Sequence, residues 1–186
     1  MKMSKQIIIL QLFFFTTFLF SQNIKKENEV TKTKLELATL KKGVATKYTD
    51  YSLEGLKATG IQLPIETKIR KVKSGIVVNY FYQIRRQLNN STASIEYSDL
   101  IEIIKVLKDL KTEFNSDNTE KSDYLENKFV TFDGFQIGYF IDKSKKSWYI
   151  KLHEFGEDED ILKFDNIETL ETAFNSAKSK IDELKK

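Results

Sequence analysis

The hydrophobic pattern of this chain switches from a strand period to a helical period twice. Ile76, Val78, Tyr80, Tyr82 and Ile84 alternate with other residues, as the buried face of a β-strand does. Leu100, Ile103, Leu107, Leu110 and Phe114 then recur at helical steps. Ile137, Tyr139, Ile141, Trp148, Ile150 and Leu152 return to period two. Ile167, Leu170, Phe174, Ala177, Ile181 and Leu184 return to the helical step. A strand pattern cannot settle as a helix, nor the reverse. The chain is therefore expected to be α+β, with antiparallel β-meanders and two long helices.

Turn residues divide the strand regions further. Expected strands cover Val44–Tyr51, the two arms of a hairpin turning at Ser74-Gly75, and Ala93–Tyr97. In the second half they cover Tyr124–Phe132, Phe135–Ile141, Ser147–Phe155 and Ile161–Phe164. Ser98 is the expected cap of the first long helix, and Asp165 with Glu168 carries a capping-box spacing before the last. Residues 33–42 suit either a short helix or a strand.

An offset of 67 to 68 superposes Leu100 on Ile167, Leu107 on Phe174 and Tyr82 on Ile150. Residues 43–186 then read either as a duplicated ββββα unit, with halves 43–114 and 124–186, or as a single α+β domain without internal duplication. In element order this resembles the repeated ββββα topology of Whirly-type single-strand nucleic-acid-binding domains. The resemblance implies the architecture over most of the mature chain. No sequence motif accompanies it, so no site residue is carried over.

The first 21 residues read as a signal peptide. Lys2 and Lys5 precede the apolar run Ile7–Phe20, and Ser21 is the expected cleavage position, although Leu19 replaces the usual small residue two places before. The run is short for a membrane span, which takes about 20 residues. An uncleaved anchor is the alternative. Residues 22–42 form a leader, with or without a short helix. Cleavage removes two lysines and no acid, which leaves 28 basic and 27 acidic residues. That balance and the export signal argue against nucleic acid as the partner. The absence of cysteine rules out both disulfides and a lipid anchor on an N-terminal cysteine. The expected location is periplasmic or secreted, and the mature protein is not expected to be transmembrane.

Chemistry-bearing motifs are sparse. His153 is the only histidine, so no multi-histidine metal site can form. It stands without a nucleophile elbow or phosphate loop and reads as a polar strand residue. Glu154 and the acids of Gly156–Asp160 lack calcium-loop spacing and read as a solvated hairpin tip. No catalytic residue, metal or cofactor is expected, and the chain reads as non-enzymatic.

Two surfaces remain. If 143–146 is a loop and Asp133-Gly134 a two-residue turn, Val130, Phe132, Ile137, Tyr139, Ile141, Trp148 and Ile150 share a core face, with the last helix as its cover. The opposite face then holds Phe129, Gln136, Phe140, Tyr149, Lys151 and His153. Its three aromatics would each bury about 150–250 Å², too much to leave in water. Phe129, Phe140, Tyr149, Lys151 and His153 are therefore the expected contacts for a protein partner, a small ligand or a second copy. The alternative surface is the basic hairpin, where Lys68, Arg70, Phe81, Gln83 and Arg85 share one face that could meet an anionic polymer or the envelope surface.

Overall fold

The computed structural model describes residues 32–63, 65–88, 90–117, 122–143, 145–153 and 161–186. Lys32–Lys186 forms one compact unit. The expected signal peptide, most of the expected leader, Glu154 and the acidic run 156–160 lie outside the described residues.

The ambiguous segment is a helix, α1 (Lys34–Thr39). Thr33 and Glu36 close a capping box. The Thr33 hydroxyl accepts the Glu36 N–H, and the Glu36 carboxylate accepts the Thr33 N–H. One and a half turns would not hold alone, and contacts beyond the helix anchor it. The Lys34 ammonium is 2.5 Å from Asp99, and the Lys34 N–H donates to both Asp133 carboxylate oxygens at 3.0 Å.

Strands β1 (Thr46–Ser52), β2 (Glu66–Ser74), β3 (Val77–Arg85) and β4 (Thr92–Glu96) form one antiparallel meander. Helix α2 (Tyr97–Ser116) follows. Strands β5 (Tyr124–Val130), β6 (Gln136–Asp142), β7 (Lys145–Lys151) and β8 (Ile161–Phe164) form a second meander of the same order, followed by α3 (Glu168–Leu184). This is the α+β architecture expected, and the matching order is what a duplicated ββββα unit has.

Both helix caps differ from expectation. Glu96 caps α2, its carboxylate accepting the Ser98 N–H at 2.8 Å. Asn166 rather than Asp165 accepts the Thr169 N–H at the start of α3. In each case a neighbour with a carbonyl or carboxylate oxygen reaches the free N–H instead.

The turns set the registers. Gly75, at φ 62, is the first residue of a two-residue connection, and Ser74 pairs with Val77. The turn lies one residue along from Ser74-Gly75, which shifts the register by two, so every face is unchanged. The β6–β7 register differs by two as well, with Tyr139 opposite Trp148 and Ile137 opposite Ile150.

The β5–β6 turn differs by one. Gly134, at φ 82, closes a three-residue loop: the Thr131 N–H donates to the Phe135 carbonyl, and the Gly134 N–H to the Thr131 carbonyl. This is a turn followed by a left-handed bulge residue. An odd slip moves every side chain of β5 to the other face. Phe129 therefore lies with Ile137 on the core side, whereas Val130 is exposed and Phe132 is 65% exposed in the loop.

One continuous core joins both sheets and both long helices. Each long helix also packs on the sheet of the other half. Phe114 of α2 packs on Tyr139 and Trp148 of the second sheet, at 5.0 and 4.8 Å between ring centres. Phe174 of α3 meets Tyr82 of the first sheet edge-on at 5.5 Å. The last helix is thus not the sole cover of the second sheet's core face, as expected from sequence. The apolar stripe of α2 is wide because that helix touches β3, β4, β5 and β6.

Candidate functional site: the outer face of the second sheet

The register assigns four rows to the outer face. Lys128, Gly138, Tyr149 and Lys163 form one row across β5, β6, β7 and β8. Glu126, Phe140 and Ser147 form the next. Val130, Gln136 and Lys151 lie on one flank, and Tyr124 on the other.

At the centre is Phe140, half-buried. Tyr124 stacks on it at 6.4 Å with 21° between the rings, and Tyr149 lies at 6.0 Å. The Lys163 ammonium sits 5.2 Å from its ring centre, in cation–π range. Tyr149 is only 3% exposed, and its hydroxyl donates to Glu126. Burial raises the Tyr149 phenol pKa, and the hydrogen bond to the Glu126 carboxylate raises it further. The other Glu126 oxygen is 3.4 Å from the Lys128 ammonium.

Gly138 makes this arrangement possible. A Cβ there would fall 2.2 Å from the Asn127 carbonyl oxygen and 2.8 Å from the Lys128 Cα. Only glycine lets the β5 backbone come this close. β5 closes down over it, and Glu126 comes within reach of Tyr149.

Phe140, Tyr149 and Lys151 thus share the outer face, as the sequence reading holds. Phe129 does not belong there. It is half-buried against the core because the three-residue turn reverses β5. His153 lies exposed beyond the end of β7, and Lys151 takes its expected place opposite Gln136. The residues missed are Tyr124, Glu126, Lys128 and Lys163. The three on β5 become legible once Gly134 is read as the third residue of its loop.

The basic hairpin has the expected face. Lys68 pairs with Gln83, Arg70 with Phe81, and Glu66 with Arg85. Its charges, however, are met within the chain. Asp50 of β1 accepts from the Lys68 ammonium at 2.7 Å and from Nε and Nη2 of Arg70, each at 2.8 Å. The Arg70 hydrogen bonds hold the Asp50 pKa down to about 2 against the opposing effect of burial. Arg85 donates to Asn90 at 2.8 Å and lies 3.8 Å from Glu66. Phe81 is fully buried.

A cleft of about 580 Å³ runs between residues 53–57 and the first turns of α3. Glu54, Lys57 and Glu168 are its ionisable lining. Glu168 is 3.2 Å from Lys111. The Tyr82 hydroxyl, also in the lining, is buried near Thr67. Burial raises its pKa, with Thr67 opposing. No group of three or more metal-ligating side chains occurs among the described residues, and no described helix is long and apolar enough to cross a membrane.

Fold and face together define an antiparallel α+β protein of two ββββα halves with an aromatic and charged outer sheet. No family model, curated protein or solved structure matches the chain. The resemblance to Whirly-type domains therefore rests on element order alone.

Proposed function

We propose that the protein is an exported, non-enzymatic interaction module, and that its contact surface is the outer face of the second sheet together with the free edge of β5. The first partner to consider is a second copy of the chain. The reading is carried by the self-complementarity of that edge.

The Thr131 N–H to Phe135 carbonyl bond fixes which β5 groups point toward β6. By alternation, residues 125, 127 and 129 point inward, and 124, 126, 128 and 130 point outward. Antiparallel pairing of two β5 strands about Asn127 sets Tyr124 against Val130 and Glu126 against Lys128, at positions whose backbone groups face out. Apolar meets apolar, and acid meets base, twice over by symmetry. Tyr124 is 57% exposed and Val130 41%. Such a pair would extend the Phe140 strip across two copies.

Lys128→Pro tests this. It removes an outward N–H while sparing the ladder to β6, a position where an edge strand tolerates proline. Sedimentation velocity should show a dimer for the unaltered protein and a monomer for Lys128→Pro, with far-UV circular dichroism unchanged. A wild-type protein that stays monomeric at about 100 μM, well above the micromolar range of transient contacts, would overturn self-pairing. Phe140→Ser separates face from edge, because Phe140 lies on β6 and not on the pairing strand. If that folded variant dimerises as the wild type does, the aromatic face is not part of the contact.

A further inference from the structure

We infer that the tip of the β2–β3 hairpin is a docking site for an anionic lipid bilayer. The inference is independent of the β5 edge and concerns the opposite sheet. Three consecutive apolar residues stand in water there: Ile76 is 99% exposed, and Val77 and Val78 are each 38% exposed. Turn positions ordinarily carry Gly, Asn, Asp or Ser, and an exposed apolar run of this length is a fault unless something uses it. Gly75 supplies the positive φ that the turn needs, so nothing in the backbone geometry asks for isoleucine beside it.

The tip is enlarged by β1. A Cβ on Gly75 would lie 3.2 Å from a Val44 methyl, so Val44 packs against the turn from the side. It is 41% exposed itself, and Tyr48, four residues on, is 49% exposed. An aliphatic point with a tyrosine set back from it matches the depth profile of a bilayer interface, where aromatic rings sit at headgroup level.

Charge decides the kind of surface. Lys47 and Lys73 lie one pair back from the tip, Lys41 and Lys42 precede Val44 in the chain, and all four are exposed. Lys47 and Lys73 are directly paired across β1 and β2. Among the described residues, none of the four is in an ion pair. Residues 37–49 and 71–80 contain no acid. Asp50, the next acid along β1, is taken by Lys68 and Arg70. The sequence pointed to a basic face further down the hairpin, but those cations are neutralised in the chain. The lysines at the tip are not. An apolar point inside an unpaired basic collar is complementary to acyl chains beneath anionic headgroups.

Vesicle co-sedimentation tests this with Gln22–Lys186, which lacks the apolar run Ile7–Phe20 and contains the whole compact unit and core. Binding to phosphatidylcholine–phosphatidylglycerol vesicles should exceed binding to phosphatidylcholine alone and fall as sodium chloride is raised. Ile76→Asp should weaken it about tenfold or more. Lys47→Glu with Lys73→Glu should weaken it about fivefold for each lysine removed. Lys105→Glu with Lys108→Glu, exposed on α2, should leave it unchanged. Any of four results overturns the inference: no binding to anionic vesicles, equal binding to neutral ones, an equal loss in the α2 control, or vesicle binding indifferent to Ile76→Asp. Self-association that Ile76→Asp abolishes, without vesicle binding, would assign the tip to a protein contact instead.

Discussion

The Tyr149 hydroxyl donates to the Glu126 carboxylate from two strands away, with Gly138 on the strand between them. This bond joins the centre of the second sheet to its edge. A double-mutant cycle of Tyr149→Phe and Glu126→Gln should give a coupling of about 1 kcal/mol in urea unfolding, the usual size for one intramolecular hydrogen bond. The raised phenol pKa adds a pH signature. The folded chain holds this proton more tightly than the unfolded chain, whose tyrosines titrate near about 10. The contribution is complete below that value and is lost as pH rises above it. From about pH 9 to about pH 11 the wild type should therefore lose more stability than Tyr149→Phe. Parallel losses in the two proteins would show that Tyr149 is not the group responsible.

Gly138→Ala should be destabilising although it adds a single methyl group to an outer face. The new carbon would overlap the Asn127 carbonyl and the Lys128 backbone, neither of which is a movable side-chain end. Overpacking of this kind costs about 1–3 kcal/mol. For a unit of this size, each kcal/mol lowers Tm by about 2–4 °C. Calorimetry on the variant reads this directly. An unchanged Tm would mean that β5 can lift away freely.

Asp50 should matter only above acid pH. Its pKa is held at about 2 by Arg70 and Lys68. A depressed carboxylate contributes stability above its unfolded value, near about 3.9, and the contribution is lost as pH falls through the folded value. The site is partly exposed, and solvent screening reduces the expected contribution to about 1 kcal/mol. Asp50→Asn should be less stable than wild type by that amount near neutrality. The difference should shrink between about pH 4 and about pH 2, measured by denaturant titration at each pH. A difference that persists below that range would point to packing rather than charge.

The elements were legible in the sequence because period and punctuation agree within each one. β8 and the stripes of both long helices carry their pattern in adjacent residues. Leu100, Ile103, Leu107 and Leu110 are buried, as are Leu170, Phe174, Ala177 and Ile181. The faces were legible only where a misjudged turn shifts the register by an even number. Moving the first turn from Ser74-Gly75 to Gly75-Ile76 leaves Lys68, Arg70 and Phe81 together. Extending the Asp133-Gly134 turn by one residue, to Phe132–Gly134, turns Phe129 inward and brings Tyr124, Glu126 and Lys128 out. The Asp50 ion pairs were beyond sequence reasoning for a different reason. They depend on which strand lies beside β2, and no local pattern in β1 specifies its neighbour. The crosswise placement of Phe114 and Phe174 is likewise a long-range fact that two amphipathic stripes leave open.

Phe114 has a consequence for the identity of the parts. By sequence it closes the first half, and by contact it belongs to the second, between Tyr139 and Trp148. Phe174 in turn reaches Tyr82 of the first sheet at 5.5 Å, and it also meets Phe135 of its own half at 6.2 Å. Each half therefore places a helix ring against the other's sheet within one shared core. Were the chain severed after Asp117, the two pieces would be ligands for one another, with reassembly as their shared ground state. A repeat that began as two interchangeable modules would, in this form, have become two complementary fragments of a single binding equilibrium.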